Sequence, residues 1–174
     1  MTRDKESDGK RLTHLGPDGT PTMVSVEEKA TTRREAVAEG AIRCSPEAYQ
    51  LLETADNPKG DVLQVARLAG IMAGKRAGEL IPLCHVIPQA TVKVVAEPDP
   101  ELPGVRIRAT ASVASQTGVE MEALTAVSVA LLTVYDMLKA VDRGMEIRGI
   151  RLVSKSGGRS GPWTADGEAD AGEP

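Results

Sequence analysis

The stretch from Thr117 to Val141 constrains the fold most, because it has the composition of a long helix buried in a protein core. Ala, Val and Leu dominate it, and four ionisable side chains interrupt it: Glu120, Glu122, Asp136 and Lys139. Burying an unpaired carboxylate is costly, so acids in such a helix are more often paired, exposed or functional than idle. The rest of the chain must therefore cover this helix and still leave its charges with partners.

Glu122 and Asp136 are too far apart to serve one small molecule from a single chain. They are 14 residues apart, which is roughly 21 Å along a helix axis and only about 40° around it. If both contribute to one site, the second carboxylate must come from another subunit, or the bound molecule must be long. Otherwise the two acids serve different places.

Each of these charges also has a structural explanation. Thr117 and Glu120 have the spacing of a capping box, in which both side chains satisfy backbone N–H groups at a helix start. Glu122, also in the first turn, gains from the helix dipole. Asp136 and Lys139 share a helix face and can form an exposed ion pair. The sequence leaves these explanations open beside the functional ones.

The remaining segments supply a sheet to cover the long helix. From Arg34 to Cys44, small and apolar residues recur at every second position, which indicates a strand with one covered face. Ser45 and Pro46 then have the character of an N-cap and a first helical residue. The predicted elements are the strand to residue 44, helices 46–52 and 61–77, strands 92–97 and 105–113, helix 118–141 and strand 146–155.

This β-α-α-β-β-α-β order predicts an α+β fold of the ferredoxin-like, split βαβ type, with an antiparallel sheet that carries its helices on one face. Residues 98–104 contain three prolines and a glycine, so we expect them to leave the ladder and connect a hairpin. In the strand 105–113, apolar residues alternate with Arg, Thr and Ser. Its second face therefore meets water or a partner.

The composition fits one globular domain, since 41% of the 174 residues are hydrophobic and 26% are charged. We expect the charged residues 1–11 and the acidic residues 164–174 to be disordered tails on a single domain, 12–163. Charges interrupt every apolar stretch, and the polar N-terminus lacks the apolar centre of a signal peptide. These features argue against a membrane protein and favour the cytoplasm.

The composition also argues against nucleic-acid binding and structural zinc. Residues 13–162 contain 17 basic and 18 acidic residues, whereas nucleic-acid binding relies on a broad basic face. The chain has no Phe, one Trp and two Tyr, which leaves few platforms for base stacking. Its two Cys and two His lack the spacing of a zinc site.

Two loops carry further candidate residues. Leu83, Cys84 and His85 lie between a predicted helix and a predicted strand, where site residues often occur. Adjacent Cys and His side chains normally diverge, so a buried thiol and a hydrogen-bonded imidazole are the structural alternative to a role in a site; His85 can also bind phosphate or move a proton. Lys59 precedes Asp61, a natural N-cap, and lies where a helix start favours anions. A solvated lysine in a turn is the alternative.

Two cationic features complete the set. Arg34 falls on the apolar parity of its strand, and an inward-facing arginine needs an anion or a carboxylate. The segment 155–161, which reads Lys-Ser-Gly-Gly-Arg-Ser-Gly, lacks the pattern of a Walker loop. Taken alone, it is as consistent with a flexible tail as with a phosphate clamp. Together with the other ionic positions, it suggests a site for a phosphorylated compound.

Several of these motifs together resemble the MoaC family, the cyclic pyranopterin monophosphate synthases of molybdenum-cofactor biosynthesis. The resemblance extends from Leu12 to about Gly161. It is carried by Leu83-Cys84-His85, Lys59-Gly60-Asp61, the run from Gly118 to Ala126 that reads Gly-Val-Glu-Met-Glu-Ala-Leu-Thr-Ala, Tyr135-Asp136-Met137-x-Lys139-Ala140 and Lys155-Ser156-Gly157-Gly158. The Glu-Met-Glu-Ala-Leu-Thr-Ala run is highly specific.

The resemblance implies a lyase that converts 3′,8-cyclo-7,8-dihydroguanosine triphosphate to cyclic pyranopterin monophosphate and releases pyrophosphate. It implies a homo-hexamer, a trimer of dimers, with the site at the dimer interface. Asp136, Lys59 and Lys139 match the family's catalytic positions. The implied substrate contacts are Leu83, Cys84, His85, Glu120, Met121 and Glu122, with positive charge from Arg34 and Lys155.

We expect general acid/base chemistry without a required cofactor, with Mg²⁺ a companion that a triphosphate can bring. The rival hypothesis is a ferredoxin-like nucleotide sensor that binds an anion and does no chemistry. Such a sensor would use Arg34 and Lys155 but would not need an acid beside a lysine at Asp136 and Lys139.

Overall fold

The computed structural model describes residues 30–53, 60–159 and 161–165, together with Thr20, Pro21, Met23 and Val26. Within these residues the chain forms five strands and four helices, and the predicted fold class is confirmed. The elements are β1 (Thr32–Arg43), α1 (Pro46–Glu53), α2 (Val62–Gly74), α3 (Ala77–Leu80), β2 (Thr91–Asp99), β3 (Gly104–Ser115), α4 (Glu120–Leu138), β4 (Glu146–Ser156) and β5 (Trp163–Thr164).

The strands form one antiparallel sheet in the order β2-β3-β1-β4-β5. In the central strand β1, Ala36, Ala38 and Ile42 are buried, which confirms the predicted parity. The helices α2 and α4 pack on the face that these residues form. The other face carries the alternating charged residues of β3, as the sequence predicted.

Glycines let α2 approach α4 closely. A side-chain carbon on Gly70 would lie 2.8 Å from the carbonyl oxygen of Ala126, and one on Gly74 would lie 2.9 Å from that of Glu122. Both distances are shorter than van der Waals contact, so neither position has room for a larger residue. The N-terminal half of α4 is thereby held between α2 and the sheet.

Several local predictions need correction. The hairpin connection is shorter than 98–104, because Pro98 pairs with Val105 and Asp99 with Gly104 in the ladder. β2 is an edge strand, so the missing N–H of Pro98 costs no sheet hydrogen bond on its outer side. The predicted helix 61–77 ends at Gly74, and the four-residue helix α3 follows it.

The C-terminal part of the sheet extends further than expected. Trp163 pairs with Lys155 and Thr164 pairs with Ser154, so β5 covers part of the outer edge of β4. The backbone N–H of Ala165 also donates to the carbonyl of Val153 at 2.8 Å. The ladder therefore reaches into the range assigned to the acidic tail. Residues 1–19 and 166–174 lie outside the described part of the chain.

By length and composition alone, α4 could cross a membrane. Half of its apolar window is buried inside the protein, against the sheet and α2. That burial is the arrangement expected of a core helix.

Candidate functional site

A pocket of about 520 Å³ lies where the loop after α3 meets the segment that leads into α4. Its lining includes five residues that the sequence singled out: Leu83, Cys84, His85, Glu120 and Met121. The volume is in the range of small-molecule sites. The chain therefore brings together two motifs that are more than thirty residues apart in sequence.

The backbone of the loop has an unusual conformation at Leu83. Its φ of 62° is the only positive value of a non-glycine residue among the described residues. The loop also packs tightly on α3, because a side-chain carbon on Gly78 would lie 2.8 Å from the Cα of Val86. A leucine held in left-handed backbone costs on the order of 1 kcal/mol or more, and such strain is commonly found at functional sites.

Glu122 is the buried acid at this end of α4, with 2% of its surface exposed. Its Oε2 atom has no hydrogen-bond partner in the described part of the chain. Burial raises the pKa of the Glu122 carboxyl, and the negative charge of nearby Glu120 raises it further, while a hydrogen bond from its own backbone N–H opposes both. Glu122 is thus an acid whose proton is held more tightly than usual, with one buried oxygen that has no described partner.

Cys84 is predominantly a thiol at neutral pH. Burial raises its pKa, and the carboxylates of Glu122 and Glu120 add to the effect. A nucleophilic cysteine needs the opposite shift. Cys84 therefore suits a role as a contact residue, in agreement with the argument against a Cys84–His85 dyad.

Glu120 makes an ion pair with a distant residue and does not form the capping box. Its Oε1 atom lies 2.9 Å from the Nζ atom of Lys155, in a partly buried contact. Val119 occupies the N-cap position of α4, and no side chain caps the helix there. The capping-box prediction for Thr117 and Glu120 is wrong, because a cation on β4 attracts the carboxylate away from the helix terminus.

Arg34 makes hydrogen bonds to backbone carbonyls at the entrance to α4. Its Nε donates to the carbonyl of Ser115 at 3.3 Å, and its Nη2 donates to that of Gln116 at 3.2 Å. The guanidinium also lies directly against Gly158, where no side-chain carbon would fit. We expected a carboxylate or an anion beside Arg34; two neutral carbonyls are its described hydrogen-bond partners.

Asp136 and Lys139 lie at the opposite end of α4. The Lys139 Nζ atom is 2.5 Å from the Asp136 Oδ1 atom, and 52% and 63% of the two side chains are exposed, respectively. The hydrogen bond with Asp136, followed by its negative charge, raises the pKa of Lys139. Within one chain these two residues form the surface ion pair that the sequence left as an alternative, and neither lines the pocket.

Lys59 lies outside the described residues, which resume at Gly60. Directly after it, Asp61 caps α2, because its Oδ1 atom accepts hydrogen bonds from the N–H groups of Leu63 and Gln64 at 2.9 and 3.0 Å. The predicted N-cap is therefore confirmed. The placement of Lys59 relative to the pocket stays a prediction.

Four further residues line the pocket without having been assigned to it: Ile81, Pro82, Thr117 and Gly118. Two of them directly precede the loop motif, and the other two shortly precede the Glu-Met-Glu motif. The signal that could have identified each of them was its position beside one of the two motifs. Sequence spacing alone did not indicate that the two segments face each other.

A second cavity, of about 650 Å³, lies on the uncovered face of the sheet. Its arginines are paired: Arg108 and Arg151 both bind Glu39, at 3.1 and 2.7 Å, and Arg106 binds Asp99 at 2.5 Å. None of the predicted site residues that the structure describes lines this cavity. Although it is the larger of the two, the candidate chemistry lies elsewhere.

In the described ranges, no three His, Cys, Asp or Glu side chains are grouped as a metal site would require. The pocket lining offers a carboxylate, a thiol, an imidazole and a thioether from Glu120, Cys84, His85 and Met121, and the Glu120 carboxylate is itself paired with Lys155. This mixture suits a polar small molecule with both neutral and anionic parts.

The fold and the pocket define an α+β protein with a pocket of small-molecule size at the N-terminal end of its long core helix. A family model described as the MoaC family matches residues 23–158. The match covers most of the chain, and the chain belongs to this family.

Relatives of high identity agree with the family match. A protein of Methylobacterium nodulans named cyclic pyranopterin monophosphate synthase is 62% identical over 155 residues, which are 89% of this chain and 97% of that protein. A protein of Brucella ovis with the same name is 55% identical over 159 residues, covering 91% of this chain and 96% of that one. The likeness therefore extends over nearly the full length of both relatives.

Proposed function

We propose that the chain is a cyclic pyranopterin monophosphate synthase that acts in molybdenum-cofactor biosynthesis. It converts 3′,8-cyclo-7,8-dihydroguanosine 5′-triphosphate to cyclic pyranopterin monophosphate and releases pyrophosphate. The observation that carries the proposal is the pocket that joins the Leu83-Cys84-His85 loop to Glu120 and Met121 in the first turn of α4. Relatives named for this activity and matching almost end to end support it.

The pocket is suited to the purine-derived part of the substrate. Glu120 lines it, and Glu122, two residues further along α4, has a raised pKa and a buried oxygen without a described partner. We assign hydrogen bonding to a ring with both donors and acceptors to these two carboxyl groups. Cys84 and Met121 supply adaptable, polarisable contacts beside it. We assign recognition of the ring system to this region.

The cationic side of the pocket is suited to the triphosphate. Lys155 is bonded to Glu120, which lines the pocket, and His85 is in the lining as well. Charge-assisted hydrogen bonds from such groups stabilise phosphate oxygens and the developing charge of a departing pyrophosphate. In this assignment, the substrate competes with Glu120 for Lys155.

The proton transfers are assigned to the residues at the other end of α4. Opening the dihydropurine ring, forming the pyran ring and closing the cyclic phosphate each move protons, which calls for a positioned acid and base. Asp136 acts as the base, and Lys139 or Lys59 acts as the acid or stabilises an oxyanion. The raised pKa of Lys139 keeps it protonated, as an acid or a cationic stabiliser must be.

The two groups of residues must come from different subunits to act on one molecule. Glu122 and Asp136 occupy the two ends of a continuous 19-residue helix, roughly 21 Å apart along the axis. We therefore propose an oligomer in which the exposed Asp136–Lys139 pair of one chain completes the pocket of another. A hexamer built as a trimer of dimers provides such interfaces. We also propose a cytoplasmic location.

Incubation of the purified chain with the cyclised triphosphate tests the proposal directly. We expect stoichiometric release of pyrophosphate together with cyclic pyranopterin monophosphate, followed by enzymatic pyrophosphate detection and mass spectrometry. Uncyclised guanosine triphosphate is the matched control and should release none. Binding without turnover would contradict the proposal and favour the nucleotide sensor.

The same assay tests the expectation that no metal is required. Chelator-treated protein should retain turnover in metal-free buffer, because the proposed chemistry is proton transfer by side chains. Added Mg²⁺ would then change substrate affinity more than the maximal rate, through its binding to the triphosphate. Loss of all turnover after chelation, with recovery on adding Mg²⁺, would contradict this expectation.

A further inference from the structure

We propose that Arg34 is a positioning residue, which fixes the pocket wall at the entrance to α4 and does not bind the substrate's phosphates. The proposal deepens the assigned function and rests on it for its kinetic consequences. Its structural consequences can be measured without any turnover.

The first observation is the direction of the Arg34 hydrogen bonds. Its guanidinium donates to the carbonyls of Ser115 and Gln116, the last residue of β3 and the residue that follows it. Thr117 and Gly118, the next two residues, line the pocket. Arg34 therefore fixes the backbone immediately before the pocket wall formed by these two residues. A displacement of Arg34 would shift that wall as well.

The second observation is the close packing of the Arg34 guanidinium against two glycines. Gly158 has a φ of 76°, and a side-chain carbon there would collide with the Nη1 atom of Arg34. Gly157, with a φ of 89°, lies against the carbonyl of Arg33, and a side-chain carbon on it would come 3.2 Å from Arg34 Cδ. The two glycines after β4 thus form a close-fitting cover for the side chain, which explains why this turn cannot carry side chains.

The third observation is that two cations hold the start of α4 in different ways. Lys155 binds the side chain of Glu120 at 2.9 Å, whereas Arg34 binds main-chain carbonyls before the helix. A carboxylate can be exchanged for a substrate phosphate, because both are anions. Main-chain carbonyls cannot leave without moving the wall, so of the two cations Lys155 is the one suited to change partners.

The test compares Arg34→Gln with Arg33→Gln. Arg33 is the neighbouring arginine, with a side chain that is 85% exposed and a contact of 3.6 Å to Glu35. Both substitutions remove one positive charge, but only the first removes the tie to the pocket wall. We expect the Arg34 variant to lose about tenfold to 100-fold in kcat, because small displacements of a site have effects of that size. We expect little change in the Arg33 variant.

The alkylation rate of Cys84 reports how firmly the pocket wall is held, and it can be measured without any turnover. Cys84 lies in the pocket, whereas Cys44 is buried elsewhere, with a pKa raised to about 11 by burial and by the charge of Asp142. Alkylation of both cysteines, followed by mass spectrometry, should show about fivefold or faster reaction at Cys84 in Arg34→Gln and no change at Cys44. Equal acceleration at both would indicate global loosening and would overturn the proposal.

Affinity for inorganic pyrophosphate separates positioning from phosphate binding. The Arg34→Gln variant should bind pyrophosphate within about threefold of the original chain, since no phosphate contact is lost. Loss of about tenfold or more, the usual consequence of removing a charged hydrogen-bond donor, with unchanged Cys84 reactivity, would show that Arg34 binds phosphate directly.

Gly158→Ala provides a second variant that keeps every charge. It displaces the guanidinium from its seat, so it should reproduce the Cys84 acceleration and the loss of kcat. Gly149→Ala is the control for backbone strain, because Gly149 has a similar φ of 65° but open space around its side-chain position. Original reactivity and kcat in Gly158→Ala would overturn the proposal. Absence of turnover in the original chain, with the Cys84 effects intact, would instead refute only the assigned function.

Discussion

The two ends of α4 carry similar charges in very different surroundings. At the N-terminal end, Glu122 is buried and Glu120 is partly buried, in an ion pair with Lys155. At the C-terminal end, Asp136 and Lys139 pair with each other on the surface. The N-terminal end borders a pocket and packs against other elements of the chain, whereas the ion pair at the C-terminal end is exposed to solvent.

This difference shows how one helix can contribute to two sites. An enclosed acid has its pKa shifted by burial, as Glu122 does, and suits recognition of a bound molecule. An exposed pair gains a low-dielectric environment only when another surface covers it. In the oligomer proposed above, another chain supplies that surface and completes the chemistry of the exposed end.

Substitution at the exposed end should have the largest effect on activity and almost none on stability. We expect Asp136→Asn to lower kcat by about 100-fold or more, the usual scale for a lost general base, with an unchanged melting temperature. Turnover and thermal denaturation measure the two effects. Glu146→Gln is a matched control, since Glu146 is 59% exposed and pairs with Arg148 at 2.8 Å. Equal turnover in both variants would remove Asp136 from the mechanism.

Mixed oligomers should restore part of the lost activity if the two ends of α4 meet across subunits. Asp136→Asn chains supply an intact pocket, and His85→Ala chains supply an intact Asp136–Lys139 pair. After subunit exchange, some interfaces should combine the intact halves, and up to about one quarter of the sites should regain turnover if mixing is random. Light scattering and isotope-labelled mass spectrometry verify exchange. Inactivity of a fully exchanged mixture would place Asp136 and His85 in the same chain's site.

The enclosed end should be far more sensitive to packing changes. We expect Gly74→Ala to destabilise the fold by roughly 1–3 kcal/mol, the usual range for overpacking, because the added carbon would lie 2.9 Å from the Glu122 carbonyl. Chemical denaturation measures the change. Gly144→Ala, after the C-terminal end of α4, is the comparison, since its nearest contact is a side-chain atom at 3.3 Å. Equal losses would show that the two ends are equally tolerant.

The smallest expected effect is a pH dependence of stability that Glu122 causes. The raised pKa of Glu122 means that the folded chain keeps this proton in a window above the ordinary value of 4.5, where the unfolded chain has lost it. Stability should therefore fall as pH rises through that window and level off above the raised pKa. Glu122→Gln removes this contribution.

Between pH 4 and 8, the unfolding free energy of the original chain should therefore fall relative to that of Glu122→Gln as the pH rises. Denaturant titrations across the range measure it, and Glu146→Gln, at an exposed carboxylate, should show no comparable trend. A constant difference for Glu122→Gln would mean that burial does not hold the Glu122 proton.

Periodicity predicted most of the fold because the sheet has one covered face. The alternation in β1 and β3 matches the buried residues, and the apolar run matches α4. Elements of only about one period were missed, namely the four-residue helix α3 and the two-residue strand β5, because so short a segment shows no repeat. Pro98 was excluded from the ladder because its tolerance depends on β2 being an edge, which a local pattern cannot show.

The candidate site was predictable in composition but less so in its contacts. The motifs identified Leu83, Cys84, His85, Glu120 and Met121, which do share a pocket. The partners of Glu120 and Arg34 were not foreseen, because they are 35 and 81 or more residues away in sequence. Local capping rules treat the helix terminus as isolated, and here a neighbouring strand supplies a stronger electrostatic partner.

The chain's single tryptophan lies where it can report on the site by fluorescence. Trp163 is directly opposite Lys155 in the β4–β5 ladder and is 45% exposed. Directly paired residues in an antiparallel ladder place their side chains close together on the same face. The indole emission therefore reports the electrostatic surroundings of Lys155 more than the state of the alanine-rich core. The sequence thus contains an intrinsic optical probe for the anion binding proposed at Lys155, and it needs no label.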